Sequence, residues 1–288
     1  MATTAQTFSD FLDAITATEY QKTTTIPARK RTVDQKLAEK FPPGSAMPYS
    51  KSILMGSAAK STIIRPFDDV DVLAIFSNIN GAWKTYAQDS KSFIYRIREA
   101  YSGVSIQQVG TRGQAVRVFY AAGGHVDVAP VFDAGNDIYF LPSGSGDWIR
   151  TAPTVGNQWF LERNATLGYH AAPLVRLLKA WNRTHSKRFR SFHLETVAAT
   201  MFSSIGSNYR GALHMFFLSA ARHLDVNDPA GQSGNLSSYL TAAGRQNLIQ
   251  GLASAADRAG RAIEAEKVGD HAEAKRLWAI VLGQDFPT

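Results

Sequence analysis

The run Asp68-Asp69-Val70-Asp71-Val72-Leu73-Ala74-Ile75-Phe76 constrains this chain more than any other stretch. From Val70 onward it is too apolar and too β-branched for a solvated helix or an edge strand, so it predicts a strand buried in a sheet. Side chains two apart in a strand share a face. Asp69 and Asp71 therefore stand together, while Asp68, Val70 and Val72 point the other way. An isolated Asp-x-Asp pair is more often two solvated carboxylates than a site. At the head of a buried strand the pair is costly, and carboxylates kept there call for cations.

A third acid lies in a second strand-like stretch, Val126-Asp127-Val128-Ala129-Pro130. If that strand pairs beside the first, Asp127 completes a cluster whose oxygen donors suit Mg²⁺, with Mn²⁺ as a substitute. Upstream, Ile53-Leu54-Met55 reads as a short strand entering Gly56-Ser57, and Ala58-Ala59-Lys60 can start a helix. A Gly-Ser pair in that setting offers backbone N–H groups and a hydroxyl to phosphate oxygens. Such pairs are common; this one gains weight by standing a short loop before the acid strand. Phosphate holders, two metal-ligating acids and a third acid, in that order, read as a site for nucleotidyl transfer. Two other stretches read as ordinary loops: Gly56 to Ser61 lacks P-loop spacing, and Ser143-Gly144-Ser145-Gly146 lacks the third glycine of a dinucleotide fingerprint.

The remaining pattern divides the chain. Phe8, Phe11, Leu12 and Ile15 give a helical stripe, and Val33, Leu37 and Phe41 give another after Pro27 interrupts. Trp83, Tyr86, Phe93, Ile94 and Ile97 mark a helix; residues 104–109, 115–120, 125–131 and 138–141 read as strands. After Pro142 nearly everything has helical period, with Leu174, Leu177, Leu178 and Trp181 the clearest stripe and residues 227–235 the main loop. The expectation is an α+β class: a short N-terminal bracing helix over 1–21, a catalytic core over 22–141 and a helical lobe over 142–288.

Composition removes several alternatives. The chain of 288 residues has no cysteine, which excludes disulfides, thiolate zinc sites and cysteine nucleophiles. No apolar run approaches the roughly 20 residues of a membrane span, and the polar start lacks a signal-peptide pattern. A cytoplasmic protein without membrane contact is expected. The net charge of +7 is unevenly placed: Arg163, Arg176, Lys179, Arg183, Lys187, Arg188 and Arg190 fall in a window free of acids. Such a window suits polyanions or is simply a solvated helix face.

These residues resemble the cGAS/DncV-like nucleotidyltransferases (CD-NTases), bacterial relatives of animal cyclic GMP-AMP synthase and of the oligoadenylate synthases. Gly56-Ser57, Asp69-Val70-Asp71 and Val126-Asp127-Val128-Ala129-Pro130 match the family's Gly-Ser, paired acid and third acid in order. In the second half, Leu174 to Trp181 resembles the family helix whose lysine, here Lys179, reaches the triphosphate. Ser191-Phe192-His193 resembles its Ser-Tyr-His segment, with Phe192 offering a flat face to a base and Ser191 a hydroxyl to phosphate. His193 and His125 read as structural, and Arg112, Gln114 and Arg117 are candidates for the acceptor side.

The resemblance implies a polymerase-β-like nucleotidyltransferase core with a helical lobe of oligoadenylate-synthase type. It implies a Mg²⁺-dependent synthase that joins ribonucleoside triphosphates, ATP and a second NTP, into a cyclic di- or trinucleotide, with release of pyrophosphate. The setting implied is antiphage (CBASS) signalling through a downstream effector, with room for a regulatory protein partner. Without cysteine the animal enzyme's zinc-dependent DNA switch is absent, so no nucleic-acid activator is expected. Two alternatives stay open: a toxin-like, template-independent transferase acting on RNA or protein, and a non-catalytic basic module binding nucleic acid through residues 163–190.

Overall fold

The computed structural model describes residues 2–67, 69–101, 106–121 and 123–288, with the side chains of Gln107 and Arg112 excepted. Asp68 and the first positions of the strand expected over 104–109 lie outside the described residues. The chain forms two compact units, one of Ala17–Ser61 and Phe67–Asn157, the other of Met1–Thr16, Thr62–Pro66 and Gln158–Thr288.

The first unit is built on a sheet. Its strands are β1 (Tyr49–Leu54), β2 (Asp69–Phe76), β3 (Ile106–Arg112), β4 (Ala115–Tyr120), β5 (His125–Asp133), β6 (Tyr139–Pro142) and β7 (Trp148–Thr151). The order is β1-β2-β5-β4-β3, with β6 pairing the end of β5 and β7 pairing β6. Strand β2 is central, as its apolar run requires. It runs antiparallel to β1 and parallel to β5, and from Val72 to Phe76 every residue is buried. Strand β7 lies beyond Pro142, in a stretch whose spacing reads as helical. Its four residues show no full alternation of burial and are too few to display period two.

Aromatic side chains fill one side of this sheet. Phe93 stacks on Phe132 at 4.6 Å, Phe76 meets Phe41 edge-on at 5.4 Å, and Trp83 stacks on Phe140 at 4.6 Å. Around them lie the helices α2 (Ile26–Lys40), α4 (Ala82–Tyr86) and α5 (Ser90–Arg98), with the one-turn α3 (Gly56–Ala59) after β1. The break expected at Pro27 is absent: a π-helical stretch, Gln21–Thr25, runs directly into α2, and Pro27 is accommodated in the first turn that follows it.

The second unit is helical: α1 (Thr4–Ile15), the greater part of α6 (Pro153–Thr166), α7 (Ala171–Thr184), α8 (Ser191–Met201), α9 (Tyr209–Ser219), α10 (Ala242–Lys267) and α11 (His271–Leu282). The stripe Leu174, Leu177, Leu178 and Trp181 is fully buried, and at about 1.5–3 kcal/mol per large apolar side chain it contributes strongly to this core. Helix α1 belongs here, not to the sheet. Phe8 meets Trp278 edge-on at 4.9 Å, and Phe8 and Phe11 each meet Phe286 at 5.1 Å. Thr4 bonds to His271 at 3.0 Å across 267 positions of chain.

Candidate active site

The register of the sheet places the acids. Strands β2 and β5 are parallel neighbours in which Asp71 pairs with Asp127, Val70 with Val126 and Val72 with Val128. The valines are buried on one face, which commits Asp69, Asp71 and Asp127 to the other. On the far side of β5, antiparallel β4 sets Arg117 opposite Asp127. One row across three strands therefore reads Asp71, Asp127, Arg117.

Gly56 abuts this row. Its φ of +59° lies in the left-handed region, and a Cβ built there would fall 2.3 Å from Asp71 Oδ2. Glycine is required on both counts. The preceding amide, Met55 N–H, donates to the Asp71 carbonyl at 2.9 Å, so the Gly-Ser turn is stitched directly to the acid strand. Ser57 is half-buried one position on. Gly56→Ala should displace the Asp71 carboxylate and lower turnover by about 10²-fold, the loss expected of an ångström-scale misplacement, while the chain stays folded; steady-state kinetics and circular dichroism check both parts.

The Asp127 carboxylate is fully engaged. Arg117 Nε donates to Oδ1 at 2.7 Å and Nη2 to Oδ2 at 2.5 Å, a two-pronged pair with each side chain less than a fifth exposed. The hydrogen bonds to Asp127 hold the Arg117 guanidinium above its ordinary basicity, aided by the charges of Asp127, Asp69 and Asp71. His125 Nε2 lies 4.0 Å from Asp127 Oδ1. With Asp127 turned to Arg117, no group of three or more acids and histidines among the described residues converges on one metal position.

Lys179, Ser191 and Phe192 belong to the helical unit. Lys179 is nearly buried, and its Nζ meets Glu195 Oε1 at 2.6 Å, the Thr62 hydroxyl at 3.0 Å and the Thr62 carbonyl at 3.1 Å. The Thr62 hydroxyl in turn donates to Glu195 at 2.7 Å. Sequence reasoning missed Glu195 and Thr62, because nothing in the spacing joins a residue of the 62–66 segment to α7 and α8.

Ser191 is exposed at the start of α8 and Phe192 is half-buried behind it. This end is held by His193, which donates from Nε2 to the Leu224 carbonyl at 2.7 Å and accepts from Tyr239 Oη at 3.1 Å. Tyr239 Oη accepts from the Arg190 amide at 2.9 Å. Burial holds the His193 imidazole below its ordinary pKa, as a structural histidine requires. Of the candidate acceptor-side residues, Gln114 is exposed and the Arg112 side chain lies outside the described residues.

Part of the basic window 163–190 is engaged within its own unit. Arg163 donates to the Ala199 and Phe202 carbonyls at the end of α8, Arg183 donates to the Arg65 carbonyl, and Lys179 is paired as above. These three cations satisfy carbonyls and a carboxylate, while Lys187 and Arg190 stand exposed.

Comparison with known proteins decides the family. The model of the Second Messenger Oligonucleotide or Dinucleotide Synthetase domain (SMODS) matches residues 1–164. The chain belongs to the SMODS family. A probable cyclic nucleotide synthase of Bacillus cereus (strain VD146) is 27% identical over 292 residues, covering 88% of this chain and 86% of that protein. A cyclic AMP-AMP-AMP synthase of Escherichia coli (strain MS 115-1) is 27% identical, covering 82% and 83% respectively. Among solved structures, E. coli MS115-1 CdnC with ATP superposes with a TM-score of 0.81 at 22% identity, over 99% of each chain. Vibrio cholerae DncV superposes with a TM-score of 0.67 at 14% identity, over 99% of this chain and 87% of that one. These last two likenesses speak to fold: the SMODS chain has the α+β architecture of the CD-NTases, with their polymerase-β-like core. It is a nucleotidyltransferase of the cyclic oligonucleotide synthase family. No helix among the described residues is long and apolar enough to cross a membrane.

Proposed function

We propose that this SMODS enzyme joins ribonucleoside triphosphates, ATP among them, into a cyclic di- or trinucleotide in a reaction that depends on Mg²⁺ or Mn²⁺. The observation that carries the reading is the Asp71–Asp127 register pair with Gly56 pressed against Asp71. Three carboxylates on one sheet face supply oxygen atoms of the kind a hard divalent cation takes, and Arg117 already brings positive charge to Asp127. Asp69, Asp71 and Asp127 would hold the metal, which when bound offsets charge on the triphosphate and on the attacking oxygen.

The protein's own groups do the rest. Gly56 and Ser57 hold the donor phosphates beside Asp71. Asp127 takes the proton of the attacking ribose hydroxyl, whose oxygen bonds to the α-phosphorus as the bond to pyrophosphate breaks. A second such transfer closes the ring. Ser191 and Phe192 offer a hydroxyl and a ring face to the nucleotide. Lys179 reaches a triphosphate only by leaving Glu195 and Thr62, and its observed partners support a different contribution: fixing residues 62–66, the chain between Gly56-Ser57 and Asp69.

The relatives named as synthases of cyclic nucleotides support a product that acts as a signal, which we assign to antiphage defence through a separate effector. E. coli CdnC is also known in a complex designated CdnC:HORMA-deltaN, which supports a regulatory protein partner here. Incubation with labelled NTPs and Mg²⁺ should give a phosphatase-resistant small product. Label found instead in RNA or protein, or no product at all, would overturn the reading.

A further inference from the structure

Three adjacent strands carry a row of charged side chains. Asp71 on β2 and Asp127 on β5 are register partners, and Arg117 on β4 is the register partner of Asp127 on its other side. At about 4.8 Å between strands, the guanidinium stands one strand from Asp127 and two from Asp71. Its fork engages both carboxylate oxygens of Asp127, and both side chains are largely buried, where a charge pair is screened less than at the surface. A carboxylate with both oxygens bound to a guanidinium is not disposed to ligate a metal shared with Asp69 and Asp71. That agrees with the lack of a converged metal-ligand group among the described residues.

We infer that Arg117 is a built-in stand-in for the divalent cation: it holds Asp127 until metal arrives, and by competing for that carboxylate it sets the concentration at which the site loads. The inference rests on the proposed reading of Asp69, Asp71 and Asp127 as metal ligands. Arg117 acts through Asp127 and is a positioning residue. Its charge balances one of three clustered carboxylates, so the sheet tolerates them when no cation is bound. The same charge raises the threshold for metal, because loading requires the guanidinium to release Asp127. An arginine suits this role better than a lysine, since the planar fork takes both oxygens and its charge cannot be lost by deprotonation.

The role has a signature that a merely structural one lacks. Removing a structural brace from a metal site weakens metal binding; removing a competitor strengthens it. Nucleotide-free Mn²⁺ binding, followed by the electron paramagnetic resonance signal of free Mn²⁺, separates the two. Arg117→Gln is expected to tighten Mn²⁺ binding by about tenfold or more, equivalent to about 1.4 kcal/mol. Arg117→Lys, which keeps the charge and loses the fork, should fall between wild type and Arg117→Gln and reads the same direction if the glutamine variant does not fold. In an Asp127→Asn background Arg117→Gln should have little further effect, because the carboxylate contested is gone. Equal or weaker Mn²⁺ binding in both Arg117 variants, with Asp71→Asn still weakening it, overturns the role of Arg117 and leaves the site standing. Mn²⁺ binding indifferent to Asp71→Asn overturns the site reading itself.

Discussion

Replacing Asp71 by Asn should lower nucleotide synthesis by roughly 10³-fold or more without destabilising the protein. Asp71 pairs in register with Asp127 and lies against Gly56, so it is the acid that joins the Gly-Ser turn to the third carboxylate. Asparagine keeps its size and removes one charge. The loss follows from taking a ligand from a cation that supplies several kcal/mol of transition-state charge stabilisation, at about 1.4 kcal/mol per tenfold in rate. Stability should change little: Asn is isosteric with Asp, and the ion pair that Arg117 makes is with Asp127, so the melting temperature in chelator should stay close to that of wild type. Steady-state product formation and a thermal melt in EDTA measure both. A variant that turns over normally removes Asp71 from the chemistry, and one that melts well below wild type assigns it a structural role.

The second large effect concerns the helical unit. Lys179 and Glu195 form a buried pair with side chains 10% and 3% exposed, closed by Thr62. Taking away one partner strands the other charge out of water, which costs about 3–5 kcal/mol. Glu195→Ala should therefore lower the melting temperature by on the order of 10 °C, at about 2–4 °C per kcal/mol for a unit of this size. The double variant Lys179→Met with Glu195→Leu should recover most of that loss, because an apolar pair of similar volume needs no partner. Nucleotide affinity in the double variant then tests Lys179 directly. Retained affinity assigns it to holding residues 62–66, and a loss of tenfold or more returns it to the triphosphate.

The apolar run of β2 made the centre of the sheet legible, because a strand buried on both faces has few places to go. Alternation then put Asp69 and Asp71 on one side and left only the pairing of Asp127 to be seen. The Arg117–Asp127 pair had a signal that went unused: residues 115–120 and 125–131 are separated by a turn containing Gly123-Gly124, and a tight hairpin there sets position 117 opposite 127. The pairing of Lys179 had no such signal. Its partners sit 117 positions earlier in the chain and a full helix away, and a helical stripe records which face is buried, not which charge waits on it. Strand β7 was missed for want of length.

The junction of α1 with Trp278 and Phe286 sets the order in which the molecule can be made. Phe8 and Phe11 are made well before the rings that cover them, Trp278 and Phe286, which follow more than 250 positions later. Loop closure over such a span forms late. The sheet unit, whose segments are contiguous but for residues 62–66, has every contact of its own available while the helical unit is still being synthesised. A nascent chain stalled before α11 would have α7 to pack on but would leave bare the ring faces of Phe8 and Phe11 that Trp278 and Phe286 cover, exposed apolar surface of the kind that makes unfinished chains prone to aggregate.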